Sequence, residues 1–347
     1  MAKTTKSVAA DLSLYFLTLQ KSASITKAVY GNFSGPGVHE IVVARGKSLE
    51  LLRPDPETQQ LVTVLRVECF GNVRSLLPFR LIGAKEDHIV VGSDSGRIVI
   101  LRYAAKSNTF EKVHEETYGK TGCRRVTPGQ FLATDSKGRA LMIASLEKQK
   151  LVYQINRNAS ADLTISSPLP AHKMGVLCFD VCGTDNGFEN PMFACLELNY
   201  TAADEDETGE AAMQANKVLT FYELDLGLNH VNRKWSKETE RSANMVLPVP
   251  GGAQGPGGVL VLAENWVIYQ HMGHDEVRTP LPRRADLPAS RGTLLIAHAT
   301  HVLESGFYVF VQSEYGDLYK ITMEWEGTSV RELTVAYFDT VVPAASI

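Results

Sequence analysis

Short apolar, β-rich runs alternate with turn residues along the whole 347-residue chain, and they do so with a period. The recurring unit is an apolar run, a tight turn and a second β-rich run. Its instances are EIVVARGKSLELLR (40–53), HIVVGSDSGRIVILRY (88–103), LMIASLEKQKLVYQI (141–155), PMFACLELNY with KVLTFYELDL, VLVLAENWVIYQ (259–270) and FYVFVQSEYGDLYKITM (307–323). The first runs end at Ala44, Ser93, Ala144, Cys195, Ala263 and Gln312, at intervals of 49, 51, 51, 68 and 49. The long interval contains an acidic, Ala-rich stretch with almost no apolar pattern. Treating its 16 residues, 201–216, as an inserted loop reduces 68 to 52. Such a stretch repels itself and is expected to project into solvent.

Each unit holds more than a hairpin. A β-like run precedes it (ITKAVYGNF, NVRSLLPFRLI, GQFLATD, GVLCFDVCG, NMVLPVPG, TLLIAHAT). A more polar one follows it (LVTVLRVECF, FEKVHEETYG, DLTISSPL, HVNRKWSKE, EVRTPL, VRELTVAYF). Four short strands in about 45–50 residues is the pattern of a propeller blade. Inner strands read as continuous apolar runs because both faces are covered, and outer strands alternate because one face meets water. No long segment carries an apolar stripe at i, i+3, i+4, i+7 with caps, so the helices that α/β folds require are missing. The pattern predicts an all-β fold, a seven-bladed WD-like β-propeller with six blades complete and the seventh partial; two stacked β-sandwiches are the alternative. Residues 1–13 are expected to be a flexible N-terminus and 14–347 one incomplete propeller. LYFLTL (14–19) and TVVPAASI (340–347) would be the two ends of the seventh blade. On this reading the chain is the N-terminal portion of a longer protein.

Composition narrows the function. With 35 Lys+Arg against 39 Asp+Glu, the net charge of −4 argues against a surface built to clamp nucleic acid or anionic lipid. No run approaches the about 18 apolar residues of a membrane span, and a secretory leader is not expected. Cys69, Cys123, Cys178, Cys182 and Cys195 are odd in number and lie mostly in apolar runs, so they read as buried hydrophobes in a reducing compartment rather than as disulfides or a zinc site. GGAQGPGG (251–258) leads into Val259, Leu260 and Val261, a strand rather than a helix start, and so reads as a strand-connecting loop instead of a phosphate loop. GSDSGR (92–97) suits a hairpin turn. His271 and His274 fall where strand becomes turn and are expected to face opposite sides of a sheet. Asp180 alone stands out as an acid in the presumed innermost runs. No catalytic, cofactor or metal constellation emerges, so no enzyme activity is expected. Two basic pairs lie between blades, Arg124 with Arg125 and Arg283 with Arg284. With Asp204, Glu205, Asp206 and Glu207 of the insertion, they are the candidate partner-binding residues, since loops on a rigid scaffold carry function and Arg anchors interfaces.

Long stretches also resemble the splicing factor 3b subunit 3 family. They include HEIVVARGKSLELLRPDPET, DHIVVGSDSGRIVILRY, YGKTGCRRVTPGQFLATDSKGRALMIASLEKQKLVYQINR, NGFENPMFACLELNY, LTFYELDLGLNHVNRKW, VPGGAQGPGGVLVLAEN and YFDTVVPAASI. The likeness runs from about Tyr15 to the last residue. It implies most of the first of three seven-bladed propellers, no enzymatic activity and a nuclear location. The implied role is that of a scaffold in pre-mRNA splicing, binding the other splicing factor 3b subunits and meeting RNA through them, without membrane or small-molecule substrate. The related large subunits of the damaged-DNA-binding protein and of the cleavage and polyadenylation factor define the alternative, an adaptor of a ubiquitin ligase, DNA-repair or polyadenylation complex. No short motif of the family carries individual contact residues over to this chain.

Overall fold

A computed structural model describes residues 22–69, 71–118, 125–159, 162–288 and 290–347. The repeat appears as six antiparallel sheets, each following the chain order of its strands. Sheet 1 is β1 (Lys27–Gly31), β2 (Glu40–Arg45), β3 (Ser48–Pro54) and β4 (Leu61–Glu68). Sheet 2 is β5 (Val73–Phe79), β6 (His88–Ser93), β7 (Arg97–Ala104) and β8 (Thr109–Thr117). Sheet 3 is β9 (Phe131–Thr134), β10 (Ala140–Ala144) and β11 (Lys150–Arg157), with β12 (Leu163–Ile165) and β13 (Leu169–Pro170) both paired to β11. Sheet 4 is β14 (Val176–Gly183), β15 (Met192–Asn199), β16 (Lys217–Asp225) and β17 (His230–Thr239). Between β15 and β16 lie two short helices, α1 (Thr201–Glu205) and α2 (Glu210–Gln214). Sheet 5 is β18 (Met245–Pro248), β19 (Val259–Ala263), β20 (Trp266–Gln270) and β21 (Val277–Pro280). Sheet 6 is β22 (Leu295–Leu303), β23 (Gly306–Ser313), β24 (Asp317–Glu326) and β25 (Ser329–Thr340).

Consecutive residues of one strand serve two different cores, which is why the inner runs are apolar throughout. In β6, Ile89 and Val91 pack against sheet 1 while Val90 packs against sheet 3. In β10, Leu141 and Ile143 face sheet 2, and Met142 faces sheet 4 with Phe193 and Tyr222. In β15, Phe193 and Cys195 turn to sheet 3 while Ala194 and Leu196 turn to sheet 5. Leu260, Val267 and Tyr269 then meet Val309, Val311 and Tyr319 of sheet 6. Each such aliphatic side chain contributes roughly 1.5–3 kcal/mol when withdrawn from water. The outer strands β17 and β25 alternate over part of their length, whereas β8 is intermediate to exposed throughout and does not alternate. A register shift recurs where the third strand meets the fourth, at Leu51/Leu52, Ile100/Leu101, Phe221/Tyr222 and Glu324/Trp325. Such a bulge increases local twist, as a radially stacked sheet requires.

The innermost strands surround a central channel of about 510 Å³, lined by Ala28, Leu76, Leu132, Asp180, Val246 and Ile296 among others. The six sheets thus radiate as the blades of a β-propeller. Five hydrophobic clusters join them in sequence. Among the described residues none joins sheet 6 to sheet 1. The C-terminal segment bridges that gap with polar contacts instead. Gln312 donates to Val342 O at 3.1 Å and accepts from Ala344 N at 2.8 Å. Ser346 Oγ accepts from the Ala28 amide of β1 at 3.3 Å.

Several expectations need correction. After Thr340 the expected start of a further strand is irregular: Pro343 has no amide to donate, and Val342, Ala344 and Ser346 turn to the partners just described. The other expected end of that blade, 14–19, lies outside the described residues, as do 1–13. DLTISSPL forms two short strands rather than one, because the Ser166 hydroxyl accepts from Gln154 N at 2.9 Å between them and Pro168 and Pro170 lack donors. His271 and His274 do not face opposite sides. Both lie in the turn after β20, and their rings stack at 4.7 Å with 6° between planes. The GSDSGR turn and the Gly-rich loop fall between strands as read, with Gly96 at φ 74°. Cys178, Cys182 and Cys195 are unpaired and buried, and burial pushes the Cys178 thiol up to about 12. Cys123 lies outside the described residues.

Candidate partner-docking face

Strand direction divides the loops between two ends of the propeller. Loops between first and second, and third and fourth, strands emerge at one end, here the hairpin end. Turns between second and third strands, and all sheet-to-sheet connections, emerge at the other, the connection end. The described candidate residues all lie at the connection end: Arg125 precedes β9, the insertion joins β15 to β16, and Arg283 and Arg284 lie between β21 and β22. Arg124 is outside the described residues.

The structure brings Arg125 and the insertion together through a residue that sequence reading passed over. Glu147, 4% exposed in the turn between β10 and β11, accepts from Arg125 Nε on one oxygen and from the Tyr200 hydroxyl on the other at 2.5 Å. Tyr200 immediately precedes α1, so the insertion is moored at its root. The hydrogen bonds from Arg125 and then Tyr200 hold the Glu147 carboxyl below its usual range. At the far end of the insertion, Arg241 donates to Met213 O.

The insertion is exposed, as expected, and carries two short helices that its lack of an apolar pattern did not predict. Their cause is local. Asp206 accepts from Thr208 N at 2.9 Å, from Thr208 Oγ1 at 2.6 Å and from Ala211 N at 2.7 Å, organising the turn into α2. Those bonds, the Thr208 hydroxyl first, lower its pKa. Asp206 is thereby a structural residue, whereas Asp204, Glu205 and Glu207 stand exposed around it.

Arg284 is a brace. It pairs with both oxygens of Asp286 at 2.9 and 2.8 Å and with Asp317 Oδ1 at 2.9 Å, and these acids raise its pKa. Arg283 is exposed and holds Pro288 O at 2.9 Å. Among the described residues no hydrogen bond or ion pair joins this loop to the insertion. The connection end therefore offers two separate charged features. Asp180 is also structural: its Oδ2 accepts from Val246 N at 2.8 Å, tying sheet 4 to sheet 5, and burial raises its pKa to about 6. Among the described residues no group of three or more His, Cys, Asp or Glu could hold a metal ion.

The family model for the RSE1/DDB1/CPSF1 first beta-propeller matches residues 24–347. The chain belongs to that family. It is 58% identical over 334 residues to spliceosome-associated protein 130 A of Arabidopsis thaliana, covering 96% of this chain and 27% of that protein. It is 55% identical over 337 residues to splicing factor 3B subunit 3 of Danio rerio, covering 96% of this chain and 28% of that protein. With pre-mRNA-splicing factor RSE1 of Mycosarcoma maydis it shares 52% identity over 344 residues, with coverage of 96% and 28%. The chain thus spans about a quarter of the length of the curated relatives it matches. Family membership agrees with six radial sheets and excludes the stacked-sandwich alternative.

Glu147 and Tyr200 were missed because their roles depend on pairings across two blades. The sequence carried no signal for them, because Glu147 sits among other polar turn residues in ASLEKQK and its burial shows only in the folded structure.

Proposed function

We propose that this chain is a propeller module of a non-enzymatic scaffold in the splicing factor 3b complex, acting in pre-mRNA splicing through protein–protein contacts. The 52–58% identity to relatives named as splicing proteins carries the reading. Its partners are the other subunits of that complex. RNA, including the branch site, is met through them, and the working compartment is the nucleus. At the connection end, the exposed acids Asp204, Glu205 and Glu207 and the exposed guanidinium groups of Arg283 and Arg125 are the contact candidates, with Arg124 beside them in sequence. Asp206 and Arg284 support their loops.

The same reading includes a partial seventh blade between sheets 6 and 1, to which residues 14–19 and 340–347 would contribute. The outward face of sheet 6 supports it. His301, Tyr308, Phe310 and Phe338 form a run of ring contacts at 5.0, 5.4 and 4.9 Å without a described hydrophobic cluster over them. Phe338 is 59% exposed, an apolar face of the kind each other sheet buries on its neighbour.

Affinity purification of the tagged full-length protein tests the function. Recovery of the other splicing factor 3b subunits is expected. Recovery of a cullin, or of the polyadenylation machinery, in their place would favour the adaptor reading, which the identities do not.

A further inference from the structure

We propose that the hairpin end of the propeller is a second docking platform, with Phe188 as its anchor, for a folded protein that presents an apolar pocket. The inference rests on the scaffold reading and adds the face and the anchor.

The tips of the inner hairpins touch one another from blade to blade, through hydrogen bonds or close backbone approach. Asn32 N donates to Asp87 Oδ2 at 2.8 Å, and Asp87 N donates back to Asn32 O at 2.9 Å, linking sheets 1 and 2. Gly138 lies so close to the Arg80 carbonyl that a Cβ there would be 2.0 Å from its oxygen, which links sheets 2 and 3. Arg139 pairs with Asp135 at 2.8 and 3.0 Å and crosses to sheet 4, donating to Phe188 O at 3.0 Å and Gly187 O at 3.2 Å. Gly251 N donates to Asp185 Oδ2 at 3.0 Å, joining sheets 4 and 5, and Gln254 reaches Leu303 O of sheet 6 at 3.4 Å. Asp87, Asp135 and Asp185 recur at about one-repeat spacing and hold three of these tips. The platform is therefore tied together before any partner arrives.

Three exposed apolar side chains stand among the charged ones, one each on the tips of sheets 4, 2 and 6. Phe188 is 80% exposed, Ile82 51% and Leu303 47%. The Phe188 ring stands on the two carbonyls fixed by Arg139, with the Lys137 ammonium 5.4 Å from its centroid. The backbone that carries the ring is fixed in advance, so docking does not have to order this loop, and aromatic anchors dominate interface energetics.

Charge selects the class of partner. The tips 32–39, 80–87, 135–139, 184–191, 249–258 and 304–305 carry four basic and six acidic side chains. Arg80 and Arg139 are already paired with Asp87 and Asp135. A slightly negative platform whose guanidinium groups are engaged does not suit phosphate, where affinity comes from basic side chains neutralising the backbone. It suits a protein surface with a neutral to mildly basic rim around an apolar pocket.

The test uses the full-length protein and the other purified splicing factor 3b subunits as the probe. Hydrogen exchange of segment 184–191 should slow on assembly. Phe188→Asp should weaken assembly about thirty-fold, the size of an aromatic hot spot. Phe188→Leu should lose much less, and neither should lower the melting temperature, because the ring is exposed. Assembly of Phe188→Asp with undiminished affinity, or cross-linking of this segment to RNA rather than protein, overturns the inference and leaves the scaffold reading standing. Failure of the wild-type protein to assemble overturns both.

Discussion

Replacing Glu197 with Gln removes one charge from the interior while keeping the side chain's length and an acceptor for the Tyr222 hydroxyl. Lys150 of β11 and Glu197 of β15 form an ion pair between sheets 3 and 4, with 5% and 6% of their side-chain surface exposed. Tyr222 donates to Glu197 Oε1 at 3.0 Å, and the Lys150 ammonium lies 4.7 Å from the Tyr222 ring centroid. In Glu197→Gln the ammonium keeps the ring but loses its counter-charge. Breaking a buried pair from one side costs about 3–5 kcal/mol. Deprotonation caps that cost: bringing an ordinary lysine to its neutral form at pH 7 spans about 3.4 units, or about 4.6 kcal/mol. Urea unfolding at pH 7 should therefore show a loss of about 3–4.5 kcal/mol. The double variant Lys150→Met/Glu197→Leu should recover to within about 1–2 kcal/mol of wild type, since an apolar pair of similar volume replaces both charges. The pH dependence has a definite sign. An unpaired buried lysine has a folded pKa below its unfolded value, so the penalty is complete at low pH and fades as pH rises towards about 10. A loss below about 1 kcal/mol, or a deficit relative to wild type that does not change with pH, would refute the reasoning.

Other outcomes follow from the same geometry. In Gly183→Ala the new Cβ would lie 1.9 Å from Thr134 O on the neighbouring innermost strand; a loss of about 1–3 kcal/mol or more is expected in thermal unfolding, and a neutral variant would contradict the close blade contact. Tyr200→Phe should free the root of the insertion, so limited proteolysis within 201–216 accelerates while the global unfolding midpoint stays put; equal cleavage rates would show that Glu147 does not moor it. His88 is buried, and burial, with the Arg102 charge, lowers its pKa to about 4, so the unfolded chain binds the extra proton between about 6.5 and 4 and stability falls as pH drops through that window. Asp180, raised to about 6, acts in the opposite direction between about 4 and 6. The difference between wild type and His88→Gln isolates the histidine. It should change by up to about 3 kcal/mol across the window, and a flat difference would exclude a buried neutral His88.

The strands were legible because short, nearly continuous apolar runs recur between turn residues, as in β6, β10, β15 and β19, which are buried on both faces. The family resemblance reached the same propeller independently. What remained hidden shares one property: it depends on polar groups pairing across blades. Glu147 with Tyr200, Lys150 with Glu197, Asp185 with Gly251 and Arg139 with Phe188 are each separated by roughly one repeat. A periodic sequence shows that such positions recur but not which side chain crosses to which neighbour. The helices of the insertion were hidden for a different reason, since side-chain bonds to Asp206 rather than an apolar stripe organise them. The stacking of His271 on His274 was misjudged because the turn begins immediately after Gln270, one step before strand geometry would have parted them.

An extract assay addresses the proposed scaffold role in splicing directly. Nuclear extract depleted of the full-length protein should fail to assemble its branch-site complex on a pre-mRNA and fail to splice it. Adding back the purified protein with its co-purifying subunits should restore both. A depleted extract that splices at the undepleted rate, with the protein demonstrably absent, would contradict the account.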